Sequence, residues 1–133
     1  MTNLRRYYTV EEANAQLGKL SALFEQVLQL RAQIKRLSGE LGGDGASELD
    51  LARLNGLVEA AADVVREIDD TGCVIKDLSV GLVDWPALHQ GREVWLCWRY
   101  GEPEVAYWHE LHSGFAGRRP IDELSPAMTQ LLH

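Results

Sequence analysis

Residues 64–85 read VVREIDDTGCVIKDLSVGLVDW, and within this stretch the spacing of apolar side chains changes from helical to alternating. Upstream, Leu51, Leu54, Val58, Ala61, Val65 and Ile68 recur every three or four residues and so share one helix face. Gly72 stands where a left-handed helix terminator belongs. Downstream, β-branched and aromatic residues alternate over residues 73–78, 82–85, 94–100 and 105–111, which predicts three or four short antiparallel strands. The switch at Gly72 therefore divides an α part from a β part.

Toward the N-terminus, Thr9 and Glu12 form a capping-box pattern with Tyr7 or Tyr8 as staple, so a helix opens at Val10. Val10, Ala13, Leu17, Leu20, Phe24, Val27, Ile34 and Leu41 lay down its stripe, widened by Leu23, Leu30 and Leu37. Gly18 costs about 1 kcal/mol relative to Ala, and marks either a close approach or an irregularity in the first turns. Gly39, Gly42, Gly43 and Gly45 with Asp44 end the helix, and Ser47 with Asp50 signals the next start. A helix over roughly 10–38 would be ~43 Å long, so part of the hairpin should project. The expectation is one α+β domain over 1–133: a long antiparallel helical hairpin at 10–71, a small antiparallel sheet at 72–121, and a tail at 122–133 with a possible helix start at Ser125-Pro126.

Tyr100-Gly101-Glu102-Pro103 predicts a tight connection between the last two strands, and His89-Gln90-Gly91 a turn after the strand-stopping Pro86. Alternation puts Val94, Leu96 and Trp98 on one face of their strand and Trp95, Cys97 and Arg99 on the other. On the next strand Val105, Tyr107 and His109 oppose Ala106, Trp108 and Glu110. Both faces carry large apolar groups, so the second should line a pocket or meet another subunit.

The formal charge is -7, from 13 Lys and Arg against 20 Asp and Glu. Residues 1–71 carry 8 basic and 12 acidic groups, the remainder 5 and 8, so neither part offers the basic face that nucleic acid requires. Apolar runs of only a few residues argue against a membrane span, and Cys73 and Cys97 read as reduced thiols in a cytoplasmic protein. The wide stripe on the first helix predicts a homodimer through the helices or the sheet.

All four tryptophans, Trp85, Trp95, Trp98 and Trp108, fall in one stretch together with His89, Arg92, Cys97, Arg99, His109, His112, Arg118 and Arg119. Arg99, Arg118 and Arg119 are candidates for gripping a small anion, with Trp85, Trp98 or Trp108 as walls and Asp84, Glu102 or His109 orienting it. The plainer reading pairs Arg99 with Asp84 or Glu102 and leaves Arg118 and Arg119 on a solvated turn. No motif calls for a cofactor. A divalent ion is the one such group the side chains admit, through Asp84, His109, Glu110 and His112 with Cys97 or Glu102 nearby. Residues three apart on a strand face opposite ways, however, so the two histidines converge only if the chain turns after His109. A metal-dependent, hydrolase-like enzyme using Asp84, His109 and Glu110 is the alternative to a ligand- or partner-binding protein. Cys97 reads as a small buried hydrophobe rather than a nucleophile, since burial raises a thiol pKa.

Several of these stretches together resemble a known family: Tyr8-Thr9-Val10-Glu11-Glu12-Ala13-Asn14, Gly81-Leu82-Val83-Asp84-Trp85-Pro86-Ala87, Val94-Trp95-Leu96-Cys97-Trp98-Arg99, Gly101-Glu102, Tyr107-Trp108-His109-Glu110 and Gly114-Phe115-Ala116-Gly117-Arg118-Arg119-Pro120. The chain is similar over nearly its whole length to an uncharacterised prokaryotic family, domain of unknown function twenty-two-zero-three. The resemblance implies membership and brings no activity with it. This sequence departs from the family pattern at Trp85, where phenylalanine is usual, at Gly18, where proline is frequent, and at His112, where an acidic residue is more usual.

Overall fold

The computed structural model describes residues 6–42 and 45–123, so the expected helix start at Ser125-Pro126 lies outside the described residues. Helix α1 spans Val10–Ala15, α2 Leu17–Glu40 and α3 Glu48–Asp70. Strands β1 (Val74–Asp77), β2 (Leu82–His89), β3 (Arg92–Arg99), β4 (Tyr107–Glu110) and β5 (Arg119–Pro120) form one antiparallel meander in chain order. The fold is α+β as expected, with five strands among the described residues rather than three or four.

Both capping boxes form. Thr9 Oγ1 accepts from the Glu12 backbone N–H at 3.1 Å while Glu12 Oε1 accepts from the Thr9 N–H at 3.0 Å, and Ser47 and Asp50 repeat the exchange at α3. Gly72 ends the hairpin at φ 99°, where a side chain would also run into the Tyr8 ring. The single long first helix is interrupted, and at Gln16 rather than at Gly18. Gln16 donates through Nε2 to the Thr71 carbonyl at 2.9 Å and accepts the Trp85 indole N–H at 2.8 Å, which fixes the break where helix ends and sheet meet.

The sheet departs from expectation at two further points. Pro86 does not stop β2, which runs on to His89. Strand β1 pairs only as far as Asp84, so at Pro86 the edge of β2 faces no strand and a missing N–H breaks no ladder bond, while the Pro86 carbonyl accepts from the Tyr8 N–H at 2.8 Å. The last two strands are not joined tightly: β4 begins only at Tyr107. The Val105 N–H donates to Asn14 Oδ1 at 2.7 Å, and its side chain is buried in the core, so Val105 leaves the ladder. The turn after His89 forms as expected, with Gln90 and Gly91 at φ 54° and 80°, a pair suited to a two-residue hairpin loop.

One face of the sheet, carrying Val83, Trp85, Ala87, Val94, Leu96, Trp98 and Trp108, packs on Leu17, Leu20, Phe24 and Val27 of α2 and Val64 and Ile68 of α3. This core reaches along the helices only to Leu30 and Ala61. Beyond them, among the described residues, α2 and α3 pack only on one another, around Leu37, and this end projects from the sheet. No helix among the described residues is long and apolar enough to cross a membrane.

Candidate functional site

Three of the four indoles belong to the inner face. Trp85, Trp98 and Trp108 are almost wholly buried, and their N–H groups donate to Gln16 Oε1 at 2.8 Å, the Glu102 carbonyl at 3.0 Å and the Pro120 carbonyl at 3.2 Å. They build the core and close loops, with no polar edge to offer a ligand on the outer face. Only Trp95 faces outward, beneath the Lys76 ammonium at 4.2 Å from its ring.

The outer face gathers three side chains of different chemistry. Asp84 of β2 lies directly opposite Cys97 of β3, and His109 of β4, opposite Trp95, is its diagonal neighbour. Register alone thus brings a carboxylate, a thiol and an imidazole together. One ligating atom from each lies within 4.8 Å of the others, and all three residues are buried, with relative exposures of 1, 0 and 3%. His109 Nε2 is 2.8 Å from Asp84 Oδ2, and His109 Nδ1 is 2.7 Å from the Glu110 carbonyl. A carbonyl can only accept, so Nδ1 carries a proton. Nε2 and Oδ2 then share a second one, because two lone pairs at 2.8 Å would repel. Asp84 Oδ1 meets no N–H or O–H donor, and the weakly donating Cys97 thiol is the carboxylate's other neighbour.

The electrostatics follow from this packing. Burial, then the neighbouring Asp84 charge and the thiol's hydrogen bond to that carboxylate, pushes the Cys97 thiol far above its ordinary range. Cys73, buried below α3, is pushed up to about 11 for the same leading reason. Burial also works against a charged His109, yet its bonds to Asp84 and the Glu110 carbonyl, with the charge of Asp84, raise its pKa on balance. A Cys–His nucleophile does not fit: both ring nitrogens are engaged elsewhere and the thiolate is strongly disfavoured.

The same set offers the donor types that a transition-metal ion takes. Nitrogen, thiolate and carboxylate donors suit zinc and its neighbours, and an imidazole anchored through its other N–H to a carbonyl is the usual support of a ligating histidine. An ion would take the place of the shared proton and the thiol proton, and would satisfy Asp84 Oδ1. Ligand atoms around a tetrahedral zinc ion stand roughly 3.3–3.7 Å apart, so the Asp84–His109 contact of 2.8 Å would open by about half an ångström and the widest separation, up to 4.8 Å, would close by about one.

Beside this triad, Glu102 accepts from Arg118 Nη1 and Nη2 at 2.9 and 2.6 Å, and the Arg118 head lies over the rings of Tyr107 and Phe115 at 4.0 and 4.6 Å. Burial opposes ionisation of Glu102, but hydrogen bonds from Arg118 and the Arg99 backbone N–H hold its carboxyl below the usual range. Arg118 Nε is buried without a partner. The Arg99 side chain is exposed at an open depression of about 240 Å³ lined also by Asp77, Val80, Leu82 and Phe115.

The sequence candidates thus separate. Asp84 and His109 meet Cys97, and Glu102 meets Arg118. Arg119 instead lies over Trp108 at 5.0 Å, and Glu110 pairs with Arg92. His112 is exposed in the turn after β4 and does not join His109, because β4 runs straight to Glu110 before the chain bends. Gln16 and Asn14 escaped the sequence reading, although Asn14 lies in the quoted Tyr8–Asn14 stretch.

The site residues all fall within the span recognised by a family model, described as an uncharacterized conserved protein (DUF2203), which matches residues 6–121. Neither the curated proteins nor the solved structures contain a match to the chain. With the match running from the α1 cap through β5 and taking in Asp84, Cys97 and His109, the chain belongs to the DUF2203 family of uncharacterised conserved proteins.

Proposed function

We propose that this protein binds one transition-metal ion of the zinc type through the Asp84 carboxylate, the Cys97 thiolate and His109 Nε2. The observation that carries the reading is the convergence of three chemically distinct donors in a buried site where Asp84 Oδ1 lacks a partner. Three protein ligands leave a fourth position for water or substrate, the ligand count of metal sites that activate water, so metal-assisted hydrolysis is the reaction class this reading supports. Cys97 takes the place that the sequence alone gives to Glu110. Purified without chelators, the protein is expected to hold about one zinc per chain. His109→Ala and Cys97→Ser should hold the ion too weakly to retain it through purification, taking it up only from excess zinc, while keeping their far-ultraviolet circular dichroism, and uptake should strengthen as pH rises because two protons leave. A folded wild-type protein that takes up no zinc or cobalt contradicts the proposal.

The projecting end of the hairpin supports a second reading, self-association. Leu51 and Val58, a heptad apart on α3, are 47 and 48% exposed. Residues 26–37 of α2 carry Arg31, Lys35 and Arg36 without an acid, whereas α3 carries seven carboxylates against two arginines. Two copies related by a two-fold axis would set each basic stretch against an acidic helix and cover both apolar stripes. Sedimentation is expected to give a dimer at high micromolar concentration that Leu51→Glu with Val58→Glu converts to monomer; a wild-type monomer at that concentration removes the reading.

A further inference from the structure

Among the described residues, the buried side-chain polar atoms without a partner are Asp84 Oδ1 and Arg118 Nε, an acceptor and a donor. They belong to one neighbourhood. Asp84 pairs with Cys97 across β2 and β3, Tyr107 pairs with Cys97 across β3 and β4, and Arg118 covers the Tyr107 ring at 4.0 Å. Asp84 thus neighbours the thiol across β2, and Arg118 lies over the residue that neighbours it across β4, near enough for its charge to act on Cys97. We propose that the site takes a small ligand bearing an anionic oxyacid group, carboxylate or phosphate, gripped by the Nε edge of Arg118 beside the ion and reached from the depression lined by Leu82, Arg99 and Phe115. The inference rests on the metal reading and adds to it the class of ligand that would occupy the vacant coordination position.

The form of Arg118 argues for this. Its end-on fork is spent on Glu102 and its flat head lies over both Tyr107 and Phe115, contacts that fix the guanidinium with Nε facing no protein acceptor. What remains is the side edge, whose Nε–H and adjacent Nη–H match two oxygens of a carboxylate or phosphate. The Arg118–Glu102 pair is neutral as a whole, so what the side edge offers is hydrogen-bond donors rather than a free charge, and with the Arg118 side chain 11% exposed a ligand oxygen would meet donors already stripped of water. Charge permits an anion as well: with Asp84 and Cys97 ionised, a divalent ion leaves its own site neutral.

The approach follows from the strands. Leu82 and Arg99 are a directly opposed pair two residues from Asp84 and Cys97, on the same outer face. They line the depression together with Phe115, the ring lying over Arg118. Phe115 is 43% exposed and its ring lies against the Arg118 head, so it borders both the depression and Arg118. Val80, Leu82 and Phe115 present apolar walls, and the volume of about 240 Å³ fits a body the size of one ring. The exposed Arg99 adds a cation at the mouth that would draw an anion in.

Calorimetric titration of the full-length protein tests this, first with zinc alone and then, on the loaded protein, with phenyl phosphate and with benzoate. The expected result is normal zinc uptake followed by saturable binding of at least one probe. Arg118→Lys keeps the charge but loses the fork and should weaken that probe by ~10-fold or more while leaving zinc affinity within ~3-fold. Arg99→Ala, an exposed position that folding does not need, should weaken it by a few-fold. The probe that binds tighter identifies the oxyacid. Failure of zinc uptake in the first stage overturns the metal reading and this inference with it. Normal zinc uptake with neither probe bound, or with equal probe affinity in Arg118→Lys, overturns this inference and leaves the metal reading standing.

Discussion

Gly81→Ala is expected to lower stability by roughly 2–4 kcal/mol. Two costs combine. Gly81 sits at φ 72°, a conformation that costs an ordinary residue about 1 kcal/mol. The added Cβ would also stand 2.4 Å from the Cβ of Tyr100 and 3.5 Å from the Phe24 ring. A Cβ is the root of a side chain and cannot swing aside, and Tyr100 is tied back by its N–H to the Gly81 carbonyl at 2.9 Å. Relief therefore requires the β2 and β3 ends to part, next to Leu82 and Arg99 at the outer-face depression. Gly91→Ala separates the two costs: Gly91 has a similar φ of 80° but nothing within 4 Å of the added atom, so only about 1 kcal/mol should be lost. Urea unfolding of both variants at unchanged m gives the comparison, and equal losses would contradict the packing argument.

Trp98→Ala should cost about 3–5 kcal/mol, as expected for the loss of a large buried aromatic. Its indole is fully buried, packs at 6.2 Å from the Phe24 ring and 6.4 Å from the Tyr100 ring, and links the sheet to α2. Its N–H also satisfies the Glu102 carbonyl, and Glu102 holds Arg118. Trp98→Phe restores much of the packing but leaves that carbonyl without its donor, so a residual loss of about 1–3 kcal/mol is expected. Thermal or denaturant unfolding that shows Trp98→Ala within 1 kcal/mol of wild type would mean that the inner face is not closed around this ring.

The parts of the fold that were legible are those whose cause is local. Thr9 with Glu12 and Ser47 with Asp50 satisfy helix N–H groups a few residues away, Gly72 supplies a positive φ, and Gln90-Gly91 supplies two. Period alone also separated Val94, Leu96 and Trp98 from Trp95, Cys97 and Arg99. What escaped was decided by partners distant in sequence. The helix break at Gln16 answers to Thr71 and Trp85, and Pro86 survives in β2 because β1 has already ended. Val105 leaves its strand for Asn14, ninety-one positions away.

The site divides in the same way. Alternation placed Cys97 and His109 on particular faces of their own strands, but whether those faces coincide depends on register, and a slip of one residue would have parted them. Pairing Trp95 with His109 and Cys97 with Tyr107 resolves it and makes Cys97 the third member beside Asp84. The arginines, which looked alike in sequence, diverge because Arg118 and Arg119 are neighbours on an extended segment and so point to opposite faces.

X-ray absorption at the zinc edge of the native protein reads the proposed coordination without reference to any activity. The expected spectrum contains one sulfur at ~2.3 Å and nitrogen or oxygen donors at ~2.0–2.2 Å, with the sulfur shell absent from zinc-reconstituted Cys97→Ser. A zinc-loaded protein with no sulfur shell, or one whose spectrum is unchanged by that substitution, would show that the ion does not lie among Asp84, Cys97 and His109.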